Sequence, residues 1–398
     1  MHRRPFLQAV TSLSAATLAS TAGCLSAFGD ERGSIEDRDR SGYDDGTVAW
    51  PEDGFDAANT GYNPDAELLE ADLESTQVTT DGSGINTSLG AGVTVVEDRL
   101  YFGTVAGDIV CYGDGGERRW SYEADPQAGV HSIPTVTSEV VYVTSDNGSY
   151  ALDADDGEEL WTNDAWIRWG SSVHAGDRIY AFESGSAFSS GPDAVAIDPD
   201  TGSIDWRAGT PVAEGLAVAD GVVYATGSRE AGGVAAFADG ERLWSRTGLD
   251  QFFSPPAVSD DVVLACTRDG RLYALERDGG ETVWEFDRGA GSSITPAVAH
   301  GRVYLPAGSQ AYGIDLESGD RLWSISTGTT TDRPTAVADG VYFGTPNEGL
   351  FAVEPDGTVR WREEDLRLRG PIAAVGDRLA VVPSAGPFGD GNLYLVEN

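Results

Sequence analysis

The chain has 398 residues, with 65 acidic against 26 basic ones, all of them Arg, and a formal net charge of −39. It offers no basic stripe that could neutralise phosphates, which argues against a nucleic-acid-binding protein. Such a charge destabilises a domain by self-repulsion at low ionic strength, whereas in molar salt the Debye length falls to about 3 Å. The composition therefore indicates adaptation to very high salt, as in halophilic archaea.

The first 23 residues have the pattern of an export signal. Arg3 and Arg4 resemble a twin-arginine motif, and a weakly apolar stretch over residues 9–22 follows them. The tetrapeptide that ends in Cys24 resembles a lipobox, which would make Cys24 the lipidated residue. No other stretch has the eighteen or more apolar residues of a spanning helix. We therefore expect a Tat-type lipoprotein signal peptide over residues 1–23 and an extracytoplasmic protein anchored by lipid to the outer face of the cell membrane.

Residues 24–47 contain almost nothing apolar and are predicted to be a disordered acidic tether. The segment from Trp50 to Tyr62 comes next, and we expect it to lie across one face or rim of the domain and cover apolar surface. Leu73 to Thr80 then has the pattern of a single outer strand that lacks a Trp.

A unit of about forty residues recurs along the rest of the chain. Each unit has two short β-branched runs joined by a tight turn, a third apolar strand, an Asp- or Gly-rich turn and a short strand that ends in Trp. Four antiparallel strands cannot bury both faces alone, so the units are expected to stack radially as the blades of a propeller. The tryptophans should be structural core residues; they lie 38 to 45 residues apart at Trp120, Trp161, Trp206, Trp244, Trp284, Trp323 and Trp361.

The spacing of the innermost strands predicts the number of blades. The last unit supplies only three strands, from Ala373 to Val382 and from Leu393 to Val396, so the strand at Leu73 to Thr80 should complete it and close the ring. The sequence thus predicts an all-β, eight-bladed β-propeller of four-stranded antiparallel blades over residues 48–398, and seven blades would require two units to merge. The innermost strands are expected to begin near residues 91, 134, 172, 215, 257, 297, 335 and 373.

The turn and Trp strand of each unit resemble a known repeat. The stretches from Ala196 to Trp206 and from Gly313 to Trp323 are similar to the PQQ-like (quinoprotein-type, BamB-like) β-propeller repeat. Quinoprotein dehydrogenases of this kind carry an adjacent Cys-Cys disulfide, a Ca²⁺ held by Glu, Asn and Asp, and a catalytic Asp. The chain has no Cys-Cys pair, and no carboxylate can be placed at their catalytic position by a matching motif, so the enzyme reading is disfavoured and no catalytic residue or cofactor is assigned.

Other members of that family, such as the propeller lipoprotein of bacterial outer-membrane protein assembly, work through protein contacts. The resemblance therefore implies a non-catalytic scaffold that binds a protein or a ligand. An unknown protein or small-molecule ligand is the expected partner, and a monomer is the expected state. The alternative is a PQQ-dependent oxidoreductase, with PQQ and Ca²⁺ as cofactors, or a sugar-acting enzyme.

Cysteine, histidine and carboxylate patterns point to no further chemistry. Cys111 and Cys266 are assigned to inner strands of opposite blades, too far apart for a disulfide, and are expected to be buried thiols. Asp-rich turns at residues 153–157 and 198–202 share a fragment of a calcium loop but lack its closing Glu, so they are interpreted as plain turns. No spacing of His or Cys typical of a metal site occurs, and no metal is expected.

The best hint of a binding face is departure from the repeat in loops where strand packing does not require it. Long insertions occur at residues 183–193, 226–233 and 383–391, and bulky or charged residues occupy the loops that enter the innermost strands. Arg168 and Trp169 could hold an anion or a planar ligand. The predicted ligand- or partner-binding residues are His131, Trp166, Arg168, Trp169, Gln251, Phe252, Phe253, Asp332, Arg333 and Arg369.

Overall fold

The fold is that of a computed structural model, in which all regular elements of the described residues are β-strands. Within that part of the chain no helix is long and apolar enough to cross a membrane. The predicted signal peptide, the tether and Cys24 lie outside it. The structure describes residues 49–79, 92–104, 106–124, 130, 132–145, 148–163, 172–183, 193–210, 214–227, 232–252, 254–289, 294–328, 333–368, 370–385 and 392–398.

Eight four-stranded antiparallel blades form the predicted propeller, with the strands of each blade ordered from the channel outward. The first blade is β4 (Thr94–Val96), β5 (Arg99–Gly103), β6 (Asp108–Gly113) and β7 (Arg118–Glu123). The second is β8 (Thr135–Val136), β9 (Val140–Ser145), β10 (Gly148–Asp153) and β11 (Glu159–Asn163). The third is β12 (Val173–Ala175), β13 (Arg178–Glu183), β14 (Asp193–Ile197) and β15 (Ile204–Gly209). The fourth is β16 (Gly215–Ala219), β17 (Val222–Gly227), β18 (Gly233–Ala238) and β19 (Glu241–Thr247).

The second half of the ring repeats the same order. The fifth blade is β20 (Ala257–Val258), β21 (Val262–Cys266), β22 (Arg271–Glu276) and β23 (Thr282–Asp287). The sixth is β24 (Ala297–Ala299), β25 (Arg302–Ala307), β26 (Gln310–Asp315) and β27 (Arg321–Ser326). The seventh is β28 (Thr335–Val337), β29 (Gly340–Thr345), β30 (Gly349–Val353) and β31 (Val359–Glu363). A small extra sheet pairs β32 (Arg367–Leu368) with β35 (Pro383–Ala385).

The eighth blade closes the ring with strands from both ends of the chain. It contains β33 (Ala373–Val375), β34 (Arg378–Val381) and β36 (Tyr394–Glu397), and its outer strand is β3 (Glu74–Gln77). Glu74 lies opposite Glu397 in the register of this pair. Across the seam with the first blade, Arg378 forms an ion pair of 2.9 Å with Asp114. The predicted blade count and ring closure are both confirmed.

The two ends of the ring differ in what they carry. At one end, called the entry face, outer strands lead into the innermost strand of the next blade, and the second and third strands are connected. At the other end, called the turn face, lie the tight turns between the first and second strands and between the third and fourth. The predicted binding residues that the structure describes, Gln251, Phe252 and Arg333, belong to connections of the entry face.

The blade tryptophans join neighbouring blades. Six of the indoles, all but that of Trp361, lie against a turn between the third and fourth strands of the following blade, where a glycine of positive φ lies beneath the ring, as Gly280 does under Trp244. A Cβ on Gly280 would lie 2.6 Å from that ring. Six indole N–H groups donate to main-chain carbonyls: Trp120 to Ala154 (3.1 Å), Trp161 to Pro199 (2.8 Å), Trp244 to Arg277 (2.7 Å), Trp284 to Leu316 (3.0 Å), Trp323 to Pro355 (2.9 Å) and Trp361 to Leu69 (2.5 Å).

A β-bulge precedes every one of these tryptophans. Cys111 pairs with Trp120 and Tyr112 with Arg118, so Arg119 is the extra residue on the outer strand of the first blade. Bulges of this kind bend an edge strand and interrupt its ladder of hydrogen bonds. The bulged residues are Arg119, Leu160, Asp205, Leu243, Val283, Leu322 and Arg360.

Candidate functional site

The central channel is closed by the chain's own N-terminal segment. Residues 49–63, called here the channel belt, pass the innermost strands of the blades in turn. The belt begins with β1 (Ala49–Trp50), which pairs antiparallel with β4, and ends with β2 (Tyr62–Asn63), which pairs parallel with β28. The expectation that this segment lies across a face or rim is thus corrected: it lies within the channel, because the inward edges of the innermost strands offer it backbone hydrogen bonds.

The belt hydrogen-bonds to the middle of one innermost strand after another. Its carbonyl oxygens accept from the backbone N–H groups of five such strands, and the donor and acceptor pairs are Val136 with Pro51 (2.9 Å), Val218 with Ala57 (2.6 Å), Val258 with Ala58 (2.8 Å), Val298 with Thr60 (2.7 Å) and Ala336 with Gly61 (2.8 Å). These bonds satisfy inward-facing backbone donors that a buried channel would otherwise leave unpaired.

Side chains of the belt form hydrogen bonds with the third and eighth blades. In the third blade the carboxyl group of Glu52 accepts from the N–H of His174 at 3.2 Å. In the eighth blade the amide of Asn63 donates to the carbonyl of Ala374 at 2.8 Å. Together with β1 on the first blade, the belt therefore contacts all eight blades.

A short loop of the belt reaches across the channel. Asp53 forms an ion pair of 3.3 Å with Arg333, whose side chain is only 9% exposed and comes from the seventh blade. Gly54 lies directly against the same guanidinium, so that a Cβ there would collide with it. Phe55 has φ of 76° and packs edge-on against Trp50 at 5.3 Å. A bulky residue with positive φ is strained and persists only when its surroundings hold it.

The buried carboxyl groups of the belt have altered proton affinity. Burial raises the pKa of Glu52 well above its usual value, and the neighbouring carboxylates of Asp56 and Asp53 add to the effect. Burial also raises the pKa of Asp56, although hydrogen bonds from Thr60 and the positive charge of Arg333 oppose the shift. These groups stabilise the closed belt most when Glu52 is protonated.

Three of the predicted binding residues fall within the described part of the chain. Arg333 lies in the mouth of the channel, where its guanidinium is already paired with the belt. Gln251 is partly buried and accepts a hydrogen bond from Arg268 at 3.1 Å. Phe252 is fully buried in a core between the fourth and fifth blades. The structure therefore removes Phe252 from the exposed face, because its ring packs among strands instead of pointing outward.

The other predicted binding residues cannot be located by the structure. His131, Trp166, Arg168, Trp169, Phe253, Asp332 and Arg369 lie outside the described residues. They remain a prediction, as does the lipidation of Cys24. Sequence reasoning missed Glu52, Asp53 and Asp56, although the run of polar residues directly after Trp50 was the one available signal.

Two further predictions concern cysteines and turns. Cys111 and Cys266 are buried free thiols in the first and fifth blades, but they lie on a third and a second strand, so the assignment to inner strands was wrong. Asp198 accepts backbone N–H bonds from Asp200 and Thr201, both at 2.9 Å, as expected of a turn residue. Among the described residues no group of three or more His, Cys, Asp or Glu could hold a metal ion.

Comparisons with known proteins agree with this architecture. A family model described as outer membrane protein assembly factor BamB matches residues 40–227 and 190–382. The chain belongs to this family. A relative in Yersinia pestis, the outer membrane protein assembly factor BamB, is 28% identical over 258 residues, which cover 56% of this chain and 64% of that protein. The chain thus spans less than two thirds of the length of that BamB relative.

Solved structures share the fold at low sequence identity. BamB from Moraxella catarrhalis superposes with a TM-score of 0.64 at 17% identity, over 82% of this chain and 98% of that one. Quinohemoprotein alcohol dehydrogenase from Comamonas testosteroni superposes with a TM-score of 0.68 at 16% identity, over 88% and 80%. Likeness at this level establishes a common propeller and nothing about shared chemistry.

The residues present do not fit a quinone cofactor in the channel of this BamB-like chain. A planar group placed at the level of the innermost strands would have to displace the belt and break its hydrogen bonds to the blades. Arg333, which lies beside the belt, is already paired with Asp53. No reaction step through PQQ or Ca²⁺ can be derived from these residues.

Proposed function

We propose that this chain is an extracytoplasmic, lipid-anchored propeller that works in high salt as a non-catalytic scaffold for a protein or ligand. The observation that carries the proposal is the channel belt. A chain that fills its own channel leaves the outer surfaces for binding, and a protein partner suits a broad surface better than a small substrate does.

The entry face is the proposed partner surface. Its loops depart from the repeat, and the predicted residues Arg168 and Trp169 combine a guanidinium with a large aromatic ring, the residue types that dominate binding energy at protein interfaces. Relatives named as assembly factors support a role in assembling other proteins. The partner itself is proposed only as a protein or ligand at the cell surface.

Crosslinking in intact cells tests this proposal. Replacing Arg168→Ala together with Trp169→Ala should abolish crosslinks formed from the entry face, while the melting temperature in molar salt falls by no more than a few degrees. Arg321→Ala serves as the control, because Arg321 is exposed at the start of the outer strand of the sixth blade, near the turn face. Unchanged crosslinks in the double variant would refute the assignment of this face.

The second candidate is a PQQ-dependent oxidoreductase. It is favoured only by the superposition on a quinohemoprotein alcohol dehydrogenase, which is a likeness of fold. For this chain to bind PQQ in the channel, the belt would have to leave it, and the hydrogen bonds between the belt and the eight blades would break.

A further inference from the structure

The exposed large apolar side chains of the described residues share one part of the ring. They are Leu243 (54% exposed), Val283 (48%), Leu322 (48%) and Val359 (41%), and together we call them the apolar edge. They come from the outer strands of the fourth, fifth, sixth and seventh blades, which are consecutive. Each lies within two residues of the Trp of its own blade, so the four side chains occupy similar places on four consecutive blades.

Leu243, Val283 and Leu322 are the bulged residues of their blades, whereas Val359 directly precedes the bulged Arg360. The bulged residue of each other blade is not an exposed apolar side chain. In the first blade the bulged residue is Arg119, paired with Asp98 at 2.5 Å, and in the third it is Asp205, paired with Arg178 at 2.6 Å. Leu160 of the second blade is half-buried and packs on the core. The repeat therefore does not require an exposed apolar residue there, and the apolar edge is particular to one side of the ring.

Two unpaired cations flank this edge. Arg242 and Arg321 directly precede Leu243 and Leu322, and both are exposed. Neither forms an ion pair or hydrogen bond with the residues that the structure describes, whereas Arg99, Arg277 and others are paired with carboxylates. The chain has 65 acidic residues, so a scarcity of carboxylates does not explain why these two Arg side chains lack an ion pair with the described residues. Guanidinium groups beside exposed leucines suit a surface that is both apolar and anionic.

The first described residues lie toward the same side of the ring as the apolar edge. Ala49 pairs with Val96 at the end of β4 that reaches the turn face, and Trp50 pairs with Val95 further inside. Ala49 therefore lies toward the turn face. The bulged residues lie near the start of their outer strands, in the half of the rim next to that face.

We propose that the apolar edge rests on an anionic lipid surface, with the ring tilted so that the fourth to seventh blades touch the membrane and the entry face points away. The proposal rests on the lipid anchoring in the proposed function. The rim is convex and its bulges interrupt strand pairing, so it suits a yielding surface better than an added peptide strand. In molar salt the net charge of −39 is screened beyond about 3 Å, and contacts of Arg and Leu at the surface decide binding.

Vesicle cosedimentation tests the proposal without the lipid anchor. The probe is the chain from residue 24 with Cys24→Ser, in 1 M KCl, with phosphatidylglycerol or phosphatidylcholine vesicles. We expect stronger partition to phosphatidylglycerol. Replacing Leu243, Val283 and Leu322 together by Ser should weaken partition to it by about tenfold or more, because the inserted apolar area is lost. Arg242→Gln with Arg321→Gln should weaken it by about threefold and leave phosphatidylcholine binding unchanged.

The matched control removes the same two charges elsewhere on the rim. Arg118→Gln with Arg207→Gln alters outer strands of the first and third blades and should leave partition unchanged. Equal loss in this control, no partition of the parent chain, or no effect of the Ser variant would each overturn the proposal. Crosslinking of a protein to the apolar edge in place of lipid would also overturn it. Partner capture by the entry face is scored separately with the Arg168 and Trp169 variant, so the two proposals can fail independently.

Discussion

Glu52 is the residue through which the channel belt contacts the third blade. Its carboxyl group takes the place of a backbone carbonyl at the third blade, in a site from which water is removed. Burial favours the protonated carboxyl there, so the pKa of Glu52 in the folded state lies well above its usual value of 4.5 in the unfolded chain.

We expect Glu52→Gln to stabilise the protein at neutral pH and to reduce the pH dependence of its stability. The pKa of Glu52 is raised in the folded state, so its contribution is fully present below pH 4.5 and is lost as pH rises through the folded pKa. The slope due to one group is at most about 1.4 kcal/mol per pH unit. Denaturant unfolding between pH 5 and 8 in molar salt measures it.

The exposed Glu281 provides a matched control, because Glu281→Gln makes the same chemical change on the surface. That variant should keep the parent slope. Equal slopes for Glu52→Gln and the parent chain would show that the buried carboxyl group does not titrate as described.

At the scale of single residues, the sequence did not reveal which contacts each side chain makes. Phe252 departs from the repeat in an entry loop, just as a surface aromatic would, but a single sequence does not reveal in which direction a side chain points. Arg333 lies in an entry connection, as its place in the sequence indicates, and its role in binding stays a prediction. Its pairing with Asp53 spans 280 residues and follows no local pattern.

Among the elements, the contact between a Trp and a Gly turn is the unit that holds blade to blade. The turn glycine has to adopt a positive φ and also has to leave room for the indole of the preceding blade. Gly280 meets both demands, with φ of 75° and the ring of Trp244 directly above it.

We expect Gly280→Ala to destabilise the protein by about 2 to 5 kcal/mol, the sum of left-handed backbone strain and overpacking. Gly221→Ala is the matched control, since Gly221 has a nearly equal φ of 74° but nothing within 4 Å of its added Cβ. Thermal or denaturant unfolding should therefore show a clearly smaller loss for Gly221→Ala. Equal losses in the two variants would mean that the contact with Trp244 contributes little.

The elements were the part of the structure that the sequence predicted well. Four strands per unit followed from the repeated pattern of apolar runs and turns, and eight blades with closure by the strand near Glu74 followed from the spacing of the innermost strands. Periodicity identifies repeated elements because each blade meets the same packing problem. The belt is not a repeated element, and its contacts join residues far apart in the sequence, such as Asn63 and Ala374. The periodicity of the sequence therefore does not predict these contacts.

For the molecule as a whole, the net charge of −39 makes the free energy of unfolding depend on the salt concentration. Raising KCl from 0.1 to 1 M or more shortens the Debye length from about 10 to 3 Å and weakens self-repulsion. We expect the melting temperature to rise by on the order of 10 °C, which corresponds to a few kcal/mol in a domain of this size. An equal rise in sucrose alone would contradict a mainly electrostatic cause.

The channel belt also sets the architecture of the whole molecule, because one segment of fifteen residues joins eight blades and closes the space in which related propellers could hold a cofactor. The most direct test is a melting experiment in about 3 M salt with PQQ and Ca²⁺, alongside a quinoprotein dehydrogenase treated identically. A ligand at one hundred times its dissociation constant adds about 2.7 kcal/mol of stability. A closed channel predicts no shift for this chain and a clear shift for the dehydrogenase, whereas a saturable shift in both would contradict the scaffold and restore the oxidoreductase.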